Sequence, residues 1–537
     1  MKQNSNTKSR KSTPNKNINP ATPSAKSNDG KLKIPNDRMQ IIVYLLILTF
    51  AFIPTYNHIF DKKIAFLGDN ANYYVFGKAI AHGDGYVNAH VVEQTKVNSF
   101  PPGYSFFIAA TMKVFGEDIT TIKIANGVLF YFSLVILFFF FRQISKSTHL
   151  SFVLTLVMLF NYYLLQYSTW MMSEIPFIFF SSIALLALTK INTDIAPWKN
   201  YWFFLMIFAI VYSYHIRSQG IALFGGVFVY YLSQKNWKYL ASTFIGFVAL
   251  IIPWYLRNSS LGGSPYEAAL KYKNYYDRAQ GEMSGIGDWM NRFTENFSRY
   301  MTSEIPASLF GNQPDYEAGS WMAGILILAL VGFGIYKMKK YQIAIAGYIL
   351  ATFAILMIWP PVWTGIRFML PIVPLLIFLF FYGIYSLILV GLTFLKIDLT
   401  KAERVLPYFF LIFIFVLFPK IKSLNEESKK YIEPLYKNYF AMANWTKNNL
   451  PEDVIILCRK PMLFHLYSDH FVQGIVKIDD PDEALAKMKE EHYTHIVIYG
   501  DGLSQKYFIP LYNKYPEKFP VIQKLSNPDV YLMEIKY

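Results

Sequence analysis

Two carboxylates stand where apolar stretches of the chain meet polar ones. Asp69 follows Gly68 in the first polar segment, and Glu174 opens a new apolar run within Ser173-Glu174-Ile175-Pro176. A carboxylate at the boundary between membrane and water can act as a general base toward a hydroxyl or an amine. Each position also suits a helix cap, because side-chain oxygens and negative charge stabilise the first turn of a helix. Residue type alone leaves both interpretations open.

Three arginines occupy comparable places. Arg217 lies between two apolar runs, Arg257 follows another in Pro253-Trp254-Tyr255-Leu256-Arg257, and Arg367 opens a third. The planar guanidinium group matches the geometry of phosphate oxygens, so three such residues on one side of a membrane favour a phosphate-binding cradle. The alternative for each one taken singly is a side chain that reaches out to lipid headgroups.

The elements that must position these residues are membrane-spanning helices. Hydrophobic residues make up 53% of the 537 residues and charged residues only 16%. Apolar runs of near-bilayer length predict a polytopic, mainly α-helical membrane protein with about eleven spans. We place these spans near residues 39–57, 119–141, 149–166, 174–190, 200–215, 219–233, 239–256, 320–336, 342–358, 367–391 and 405–419.

Basic residues fall in alternate loops, which predicts the orientation. The tail of residues 1–38, rich in Lys, Asn, Ser and Pro, is expected to be disordered and cytoplasmic. With that start, the inner loops carry nearly all the lysines of the short connections, as the positive-inside rule requires. We therefore expect a multi-pass protein of the inner (cytoplasmic) membrane, with Asp69, Glu174 and the three arginines on the extracytoplasmic side.

Three long segments are predicted outside. Two are outer loops near residues 58–117 and 257–319 of a membrane domain that covers residues 39–420. The third, residues 421–537, alternates helical and β-like patterns and is predicted to be a small extracytoplasmic α/β domain. Since the chain has one cysteine, Cys458, this domain must fold without an internal disulfide.

Charge and motifs exclude several classes of protein. The net charge of +15 is concentrated in the tail and inner loops, which indicates membrane lipids rather than nucleic acid as partners. The chain has neither a P-loop nor a dinucleotide-binding fingerprint. No pair of histidines has zinc-ligand spacing, so we predict no protein-bound metal and no cofactor.

The ordered series of motifs resembles the GT-C glycosyltransferases, and within them the bacterial branch of family 39, which includes protein O-mannosyltransferases and aminoarabinose transferases that modify lipid A. The resemblance covers roughly residues 60–375. The motifs that carry it are Gly68-Asp69, Pro101-Pro102-Gly103-Tyr104, Ser173-Glu174-Ile175-Pro176, Arg217 with Gly220, Pro253-Trp254 with Arg257-Asn258, and Arg367 with Pro371 and Pro374.

This resemblance implies an extracytoplasmic hexosyl- or pentosyltransferase. Its donor would be a sugar on a polyprenyl phosphate, and its acceptor an envelope glycan, lipid or protein. Asp69 would be the base of an inverting displacement, Glu174 the second catalytic carboxylate, and Arg217, Arg257 and Arg367 the ligands of the donor phosphate. The side chains expected to line the cavity are Tyr73, Tyr74, Tyr104 and His215.

Two departures and one rival interpretation accompany the resemblance. Many relatives have a second acidic residue where this chain has Asn70, and many have Asp where it has Glu174. The rival is a transporter or flippase for a lipid-linked sugar. Transport sites usually place ionisable groups near the middle of the bilayer. Here the spans are almost free of charge and the ionisable residues gather at outer helix ends, which favours an enzyme.

Overall fold

A computed structural model of the chain describes residues 37–64, 68–363 and 365–537, without the side chains of Glu267 and Ala279. The predicted disordered tail therefore lies almost entirely outside the described residues. The chain divides into two compact units, residues 1–43 and residues 44–537. The described part of the first unit is the start of helix α1, and the candidate active site and the C-terminal sheet lie in the second.

Helices dominate up to residue 429. Their bounds are Asp37–Ile59 (α1), Asp69–His82 (α2), Gly103–Phe115 (α3), Ile119–Ser145 (α4), Thr148–Leu159 (α5), Tyr162–Ser168 (α6), Glu174–Lys190 (α7), Tyr201–Ile216 (α8), Ile221–Ser233 (α9), Trp237–Ser259 (α10), Pro265–Lys271 (α11), Ile286–Arg299 (α12), Ile305–Phe310 (α13), Trp321–Lys337 (α14), Gln342–Ile358 (α15), Ile366–Met369 (α16), Val373–Phe394 (α17), Leu399–Phe409 (α18) and Ile412–Lys429 (α19).

Several of these helices can cross a membrane. Among the described residues, five helical segments are long and apolar enough, namely α1, α4, α10, α16–α17 and α18–α19, and the bent pair α5–α6 would make a sixth. This supports a multi-pass membrane protein. Eight predicted spans coincide with single helices, and the other three fall on the pairs α5–α6, α16–α17 and α18–α19. Among the single helices, α9 has only 13 residues, and α7, α8, α14 and α15 have 16 or 17. At 1.5 Å per residue these five helices extend about 20–26 Å, less than the roughly 30 Å hydrocarbon core. The count of eleven therefore stays a prediction.

The end of the chain forms a small α/β unit, as the sequence predicts. Its helices are Pro434–Asn449 (α20), Pro461–Ser468 (α21), Pro481–Glu490 (α22) and Ile509–Lys514 (α23), and its strands are Ile455–Cys458 (β1), Phe471–Gly474 (β2), His495–Tyr499 (β3), Val521–Leu525 (β4) and Val530–Glu534 (β5). The sheet order is β2-β1-β3-β5-β4, with β1 parallel to β2 and β3, and β5 antiparallel to β3 and β4. Leu457, Ile496 and Leu511 lie in its buried core.

The edge strand β2 contacts the first outer loop. The backbone N–H of Val472 donates to the carbonyl oxygen of His90 at 2.7 Å. Nearby, the ammonium group of Lys78 on α2 lies 3.3 Å from the carboxylate of Asp469. The α/β unit is therefore joined to the helix that begins at Asp69.

Candidate active site

Asp69 is the first residue of α2, and its side chain pairs with Arg367. Gly68 precedes it with φ of +94°, a conformation that residues with a Cβ rarely adopt, so the chain turns into α2 at a glycine. No side-chain capping bond forms at this end of α2. Instead, Oδ2 of Asp69 lies 2.7 Å from Nη2 of Arg367, and the Asp69 side chain is 28% exposed. Asp69 is thus both charge-paired and accessible.

Glu174 begins α7 and its side chain is 0% exposed. Its Oε1 accepts from Nη1 of Arg217 and from Nε of Arg367, both at 2.6 Å. A buried carboxylate is tolerated when cations and hydrogen bonds compensate for the water it loses. Its other oxygen, Oε2, is buried without a hydrogen-bond partner in the described part of the chain. Glu174 therefore anchors two arginines through a single oxygen.

Arg367 connects the two carboxylates. It donates through Nε to Glu174 and through Nη2 to Asp69, and Glu174 in turn holds Arg217. We call these four side chains the carboxylate–arginine network. The structure thereby brings together four of the five ionisable residues that the sequence singled out, from α2, α7, the end of α8 and α16.

Tight turns position the two arginines. Arg217 ends α8 in an extended conformation, and a Cβ on Gly220 would lie 2.5 Å from the backbone nitrogen of Tyr214, so only glycine fits this turn. Gly365, with φ of +126°, precedes Arg367. The Gln219 side chain donates to the carbonyl oxygen of Phe368 at 2.8 Å, which couples the two turns.

Aromatic residues form one side of the network. The Tyr73 hydroxyl donates to Oγ of Ser173 at 3.2 Å, and the same oxygen accepts from Nη1 of Arg217 at 3.0 Å. The Tyr104 ring packs edge-on against Tyr73, with centroids 4.9 Å apart, and is fully buried. Burial, aided by the charge of Asp69, raises the pKa of the Tyr73 hydroxyl above its ordinary value. Tyr73 is therefore a neutral hydrogen-bond donor.

Tyr266 on α11 is a neighbour that sequence reasoning did not single out. Burial raises the pKa of its hydroxyl, which also senses the charges of Arg217, Asp69 and Arg367. The ring lies 5.5 Å from that of Trp359. The sequence offered only a weak signal, since Tyr266 is one of many aromatics in the second outer loop.

Arg257, the third arginine expected at the site, contacts other residues instead. Arg257 donates to the carbonyl oxygens of Val97 at 2.7 Å and Tyr86 at 3.3 Å, and its guanidinium lies 5.0 Å from the Trp254 ring centroid. The structure thus places Arg257 against the first outer loop, without an ion pair to the network. Its role as a phosphate ligand stays a prediction.

Tyr74 and His215 also face other neighbours. The Tyr74 hydroxyl donates to the carbonyl oxygen of Glu117 at 2.8 Å. The His215 ring packs 6.3 Å from Trp254, and its Nδ1 is buried without a hydrogen-bond partner among the described residues. A Cβ on Gly103 would lie 2.7 Å from the His215 carbonyl carbon, so α3 packs directly against the end of α8. Neither side chain bonds to the carboxylate–arginine network.

One face of α12 fixes the segment that leads to Arg367. Asn296 donates to the carbonyl oxygens of Leu356 and Met357 at 3.1 Å and of Trp359 at 2.8 Å. Arg292 and Arg299, one turn before and about one turn after it, bond to the carbonyl oxygens of Ile358 at 3.4 Å and Pro361 at 3.1 Å. Buried carbonyl groups at the end of α15 are thereby satisfied by side chains of the second outer loop.

Glu304, in the second Ser-Glu-Ile-Pro of the chain, lies behind the same segment. It is fully buried, accepts from the Tyr316 hydroxyl at 2.6 Å, and its Oε1 would be 4.0 Å from a Cβ on Gly365. Burial raises the pKa of its carboxyl, opposed by Tyr316 and Arg299. The glutamates of both Ser-Glu-Ile-Pro sequences, Glu174 and Glu304, thus lie next to the segment that carries Arg367.

Metal ligands are not grouped in the part of the chain that the structure describes. No cluster of three or more His, Cys, Asp or Glu side chains lies close enough to hold an ion there. The donor set of the network, two carboxylates already paired with two arginines, suits anion recognition rather than metal coordination.

Comparison with solved structures identifies the fold. ArnT from Cupriavidus metallidurans bound to undecaprenyl phosphate matches with a TM-score of 0.59 and 11% identity over 93% of this chain and 98% of that one. The chain has the GT-C fold. The oligosaccharyltransferase of Archaeoglobus fulgidus, tethered to an acceptor peptide, matches with a TM-score of 0.59 and 10% identity over 93% of this chain and 74% of that one. No protein-family model and no curated protein sequence matches. The narrower assignment to family 39 stays a prediction.

Proposed function

We propose that this chain is an integral-membrane glycosyltransferase. It moves a sugar from a polyprenyl-phosphate donor to an acceptor on the extracytoplasmic face, by an inverting displacement. The observation that carries the proposal is the bridge that Arg367 makes between a partly exposed carboxylate, Asp69, and a buried one, Glu174. The fold shared with an ArnT bound to undecaprenyl phosphate supports the same class of donor.

The proposed chemistry follows from the exposure of the two carboxylates. Asp69 accepts the proton of the acceptor hydroxyl or amine as that atom forms its bond to the anomeric carbon of the sugar. The bond between this carbon and the phosphate oxygen breaks, and its electron pair leaves with the polyprenyl phosphate. Since Asp69 is accessible and Glu174 is not, Asp69 is the base and Glu174 orients the arginines.

The arginines retain donors for the departing phosphate. In the described structure Arg217 uses only Nη1 toward Ser173 and Glu174, and its Nε is buried without a partner. Each well-placed donor toward developing charge stabilises a transition state by about 3–4 kcal/mol. We propose that Arg217 and Arg367 bind the phosphate oxygens, with Tyr73, Tyr104 and Tyr266 around the sugar.

The test compares envelope glycans of knockout cells that carry different variants. Asp69→Asn keeps the size of the side chain but removes its basicity, so transfer should fall on the order of 10²–10⁴-fold. Asp84→Asn, an exposed aspartate in the same outer loop, is the matched control. Mass spectrometry should show a sugar lost in the knockout, restored by wild type and Asp84→Asn, and absent with Asp69→Asn. Full restoration by Asp69→Asn would refute the assigned base.

A second assay separates transfer from transport. Purified protein in liposomes is given a labelled polyprenyl-phosphate sugar and an envelope extract as acceptor. We expect label in new glycosidic linkages. Movement of the donor between leaflets without any new linkage would instead favour the flippase.

A further inference from the structure

A cleft rich in lysine lies at the point where two candidate spans end. It has a volume of about 440 Å³ and forms between the end of α1 with the residues after it and the end of α19. Four lysines and one aspartate line it: Lys62, Lys63, Lys429, Lys430 and Asp61. We call it the lysine cleft. It shares no residue with the carboxylate–arginine network.

The lysine cleft begins just past the apolar surfaces of α1 and α19. The last exposed apolar residues of the two helices are Ile53 on α1 and Phe418 on α19. Asn57 and Asn425, which line the cleft, are about 6 and 10 Å further along at 1.5 Å per residue. The headgroup layer extends roughly 5–8 Å beyond the hydrocarbon core, so the Asn57 end of the cleft falls within this layer and the Asn425 end lies just outside it. Tyr431, another lining residue, is 98% exposed, as is common for interfacial tyrosines.

One wall of the cleft is rigidly held. Lys123 on α4 is 1% exposed, and its ammonium group donates to the carbonyl oxygens of Asp61 and Lys63. Lys63 bonds to Oδ1 of Asp61 and to the carbonyl oxygen of Ser428, both at 2.7 Å, so it joins the two walls. Lys123 and Asp61 therefore fix the shape of the cleft, and Asp61 is the one acidic residue among those that line it.

The remaining lysines are available to a ligand. Lys62, Lys429 and Lys430 are exposed. Within residues 37–64, 68–363 and 365–537, none of these three lysines forms an ion pair with a carboxylate. Ammonium groups that line one cleft without a carboxylate partner create a positive potential that attracts an anion.

We propose that the lysine cleft binds a phosphate group, carried by the headgroup of an anionic lipid in the extracytoplasmic leaflet. Three ammonium groups suit the oxygens of a phosphomonoester, and the two apolar helices beneath them would contact its acyl or isoprenoid chains. The site holds a lipid next to the enzyme and takes no part in the displacement at Asp69.

The test measures lipid retained by the purified full-length protein. Protein in detergent doped with phosphatidic acid or phosphatidylcholine is examined by native mass spectrometry. Wild type should retain phosphatidic acid and not phosphatidylcholine. The triple variant Lys62→Gln, Lys429→Gln, Lys430→Gln should bind phosphatidic acid on the order of tenfold or more weakly, because each lysine near such a headgroup contributes measurably.

A matched control replaces three exposed lysines of predicted inner loops, Lys238→Gln, Lys339→Gln and Lys340→Gln, and should retain the lipid as wild type does. Inorganic phosphate distinguishes the two sources of the ligand. Displacement of the lipid by millimolar phosphate identifies the phosphate group alone as the ligand, and lack of displacement identifies the membrane-anchored headgroup. Equal retention by wild type and the cleft variant overturns the proposal for both sources.

The outcome is independent of the proposed glycosyl transfer. Asp69→Asn leaves every lining residue of the lysine cleft in place and should retain phosphatidic acid as wild type does. A cleft variant that loses the lipid while Asp69→Asn keeps it supports the second site even if Asp69 proves not to be the base. Loss of the lipid by Asp69→Asn alone would locate the retained lipid at the network and refute the cleft.

Discussion

At the scale of single residues, Arg367 uses different nitrogens for its two carboxylate partners, Nε for Glu174 and Nη2 for Asp69. A lysine has one point charge and could not span both carboxylates. The two carboxylates differ in burial, since the Glu174 side chain is 0% exposed and that of Asp69 is 28% exposed. We therefore expect the buried Glu174 to contribute mainly to stability and the accessible Asp69 mainly to the proposed reaction.

Glu174→Gln should destabilise the protein far more than Asp69→Asn. Glutamine keeps an accepting oxygen but removes the negative charge, which leaves the guanidinium groups of Arg217 and Arg367 without their shared buried counter-ion, at a cost of about 3–5 kcal/mol. The partly exposed pair of Asp69 is screened by water and contributes about 1 kcal/mol or less. The measurement is the temperature at which each purified variant ceases to be monodisperse in detergent. Equal losses for the two variants, or a larger loss for Asp69→Asn, would contradict the assignment of Glu174 as the anchor.

At the scale of secondary-structure elements, α12 supports the segment before Arg367 by side-chain bonds to backbone carbonyls. Asn296 alone contacts three of them. Because α15 ends there and a glycine follows before α16, this segment has little other regular structure. The predicted second outer loop therefore helps to position Arg367, although α12 itself bonds to neither carboxylate.

Asn296→Ala should loosen this segment without unfolding the protein. Loss of a buried donor to several carbonyls costs about 1–3 kcal/mol. Hydrogen exchange of peptides from residues 356–370 should become faster, and glycosyl transfer should fall as Arg367 loses its position. Asn291→Ala, on the exposed face of the same helix, is the matched control and should change neither. If exchange in these peptides is unaltered by Asn296→Ala, α12 is not their support.

Elements and site residues differ in how far the sequence predicts them. Long apolar runs placed the helices, and Asp69, Glu174, Arg217 and Arg367 were identified by type and by their places at helix ends. The strands β2 and β4 could not be predicted individually, because a run of four or five residues without clear alternation has no signal of its own. The partners of Arg257 were unpredictable for a different reason: every residue has a carbonyl oxygen, so only the fold selects Val97 and Tyr86.

At the scale of the whole molecule, the predicted orientation places the network, the lysine cleft and the α/β unit on one side of the membrane. The single cysteine of the chain makes this testable. Cys458 is fully buried, and burial raises the pKa of its thiol to about 12, so it should not react in the folded protein. New thiols at exposed positions would then report on each side separately.

Glu452→Cys, exposed in the α/β unit, should react with a membrane-impermeant maleimide in intact cells or spheroplasts. Lys339→Cys, exposed in a predicted inner loop, should react only after the membrane is permeabilised. The wild-type chain is the control for Cys458 and should remain unlabelled in both conditions. The reverse pattern for the two variants would invert the orientation and place the candidate active site in the cytoplasm.

The bond from Val472 to the carbonyl of His90, with Lys78 beside Asp469, has a consequence for biosynthesis. A ribosome makes the chain from its N-terminus, so the first outer loop emerges hundreds of residues before the strand that covers it. Until then the part of the loop around His90 lacks the strand that covers it and is open to chaperones and proteases. Nascent chains that stop short of β2 should therefore be inserted but immature, and quality control can distinguish them from finished protein by this one uncovered loop.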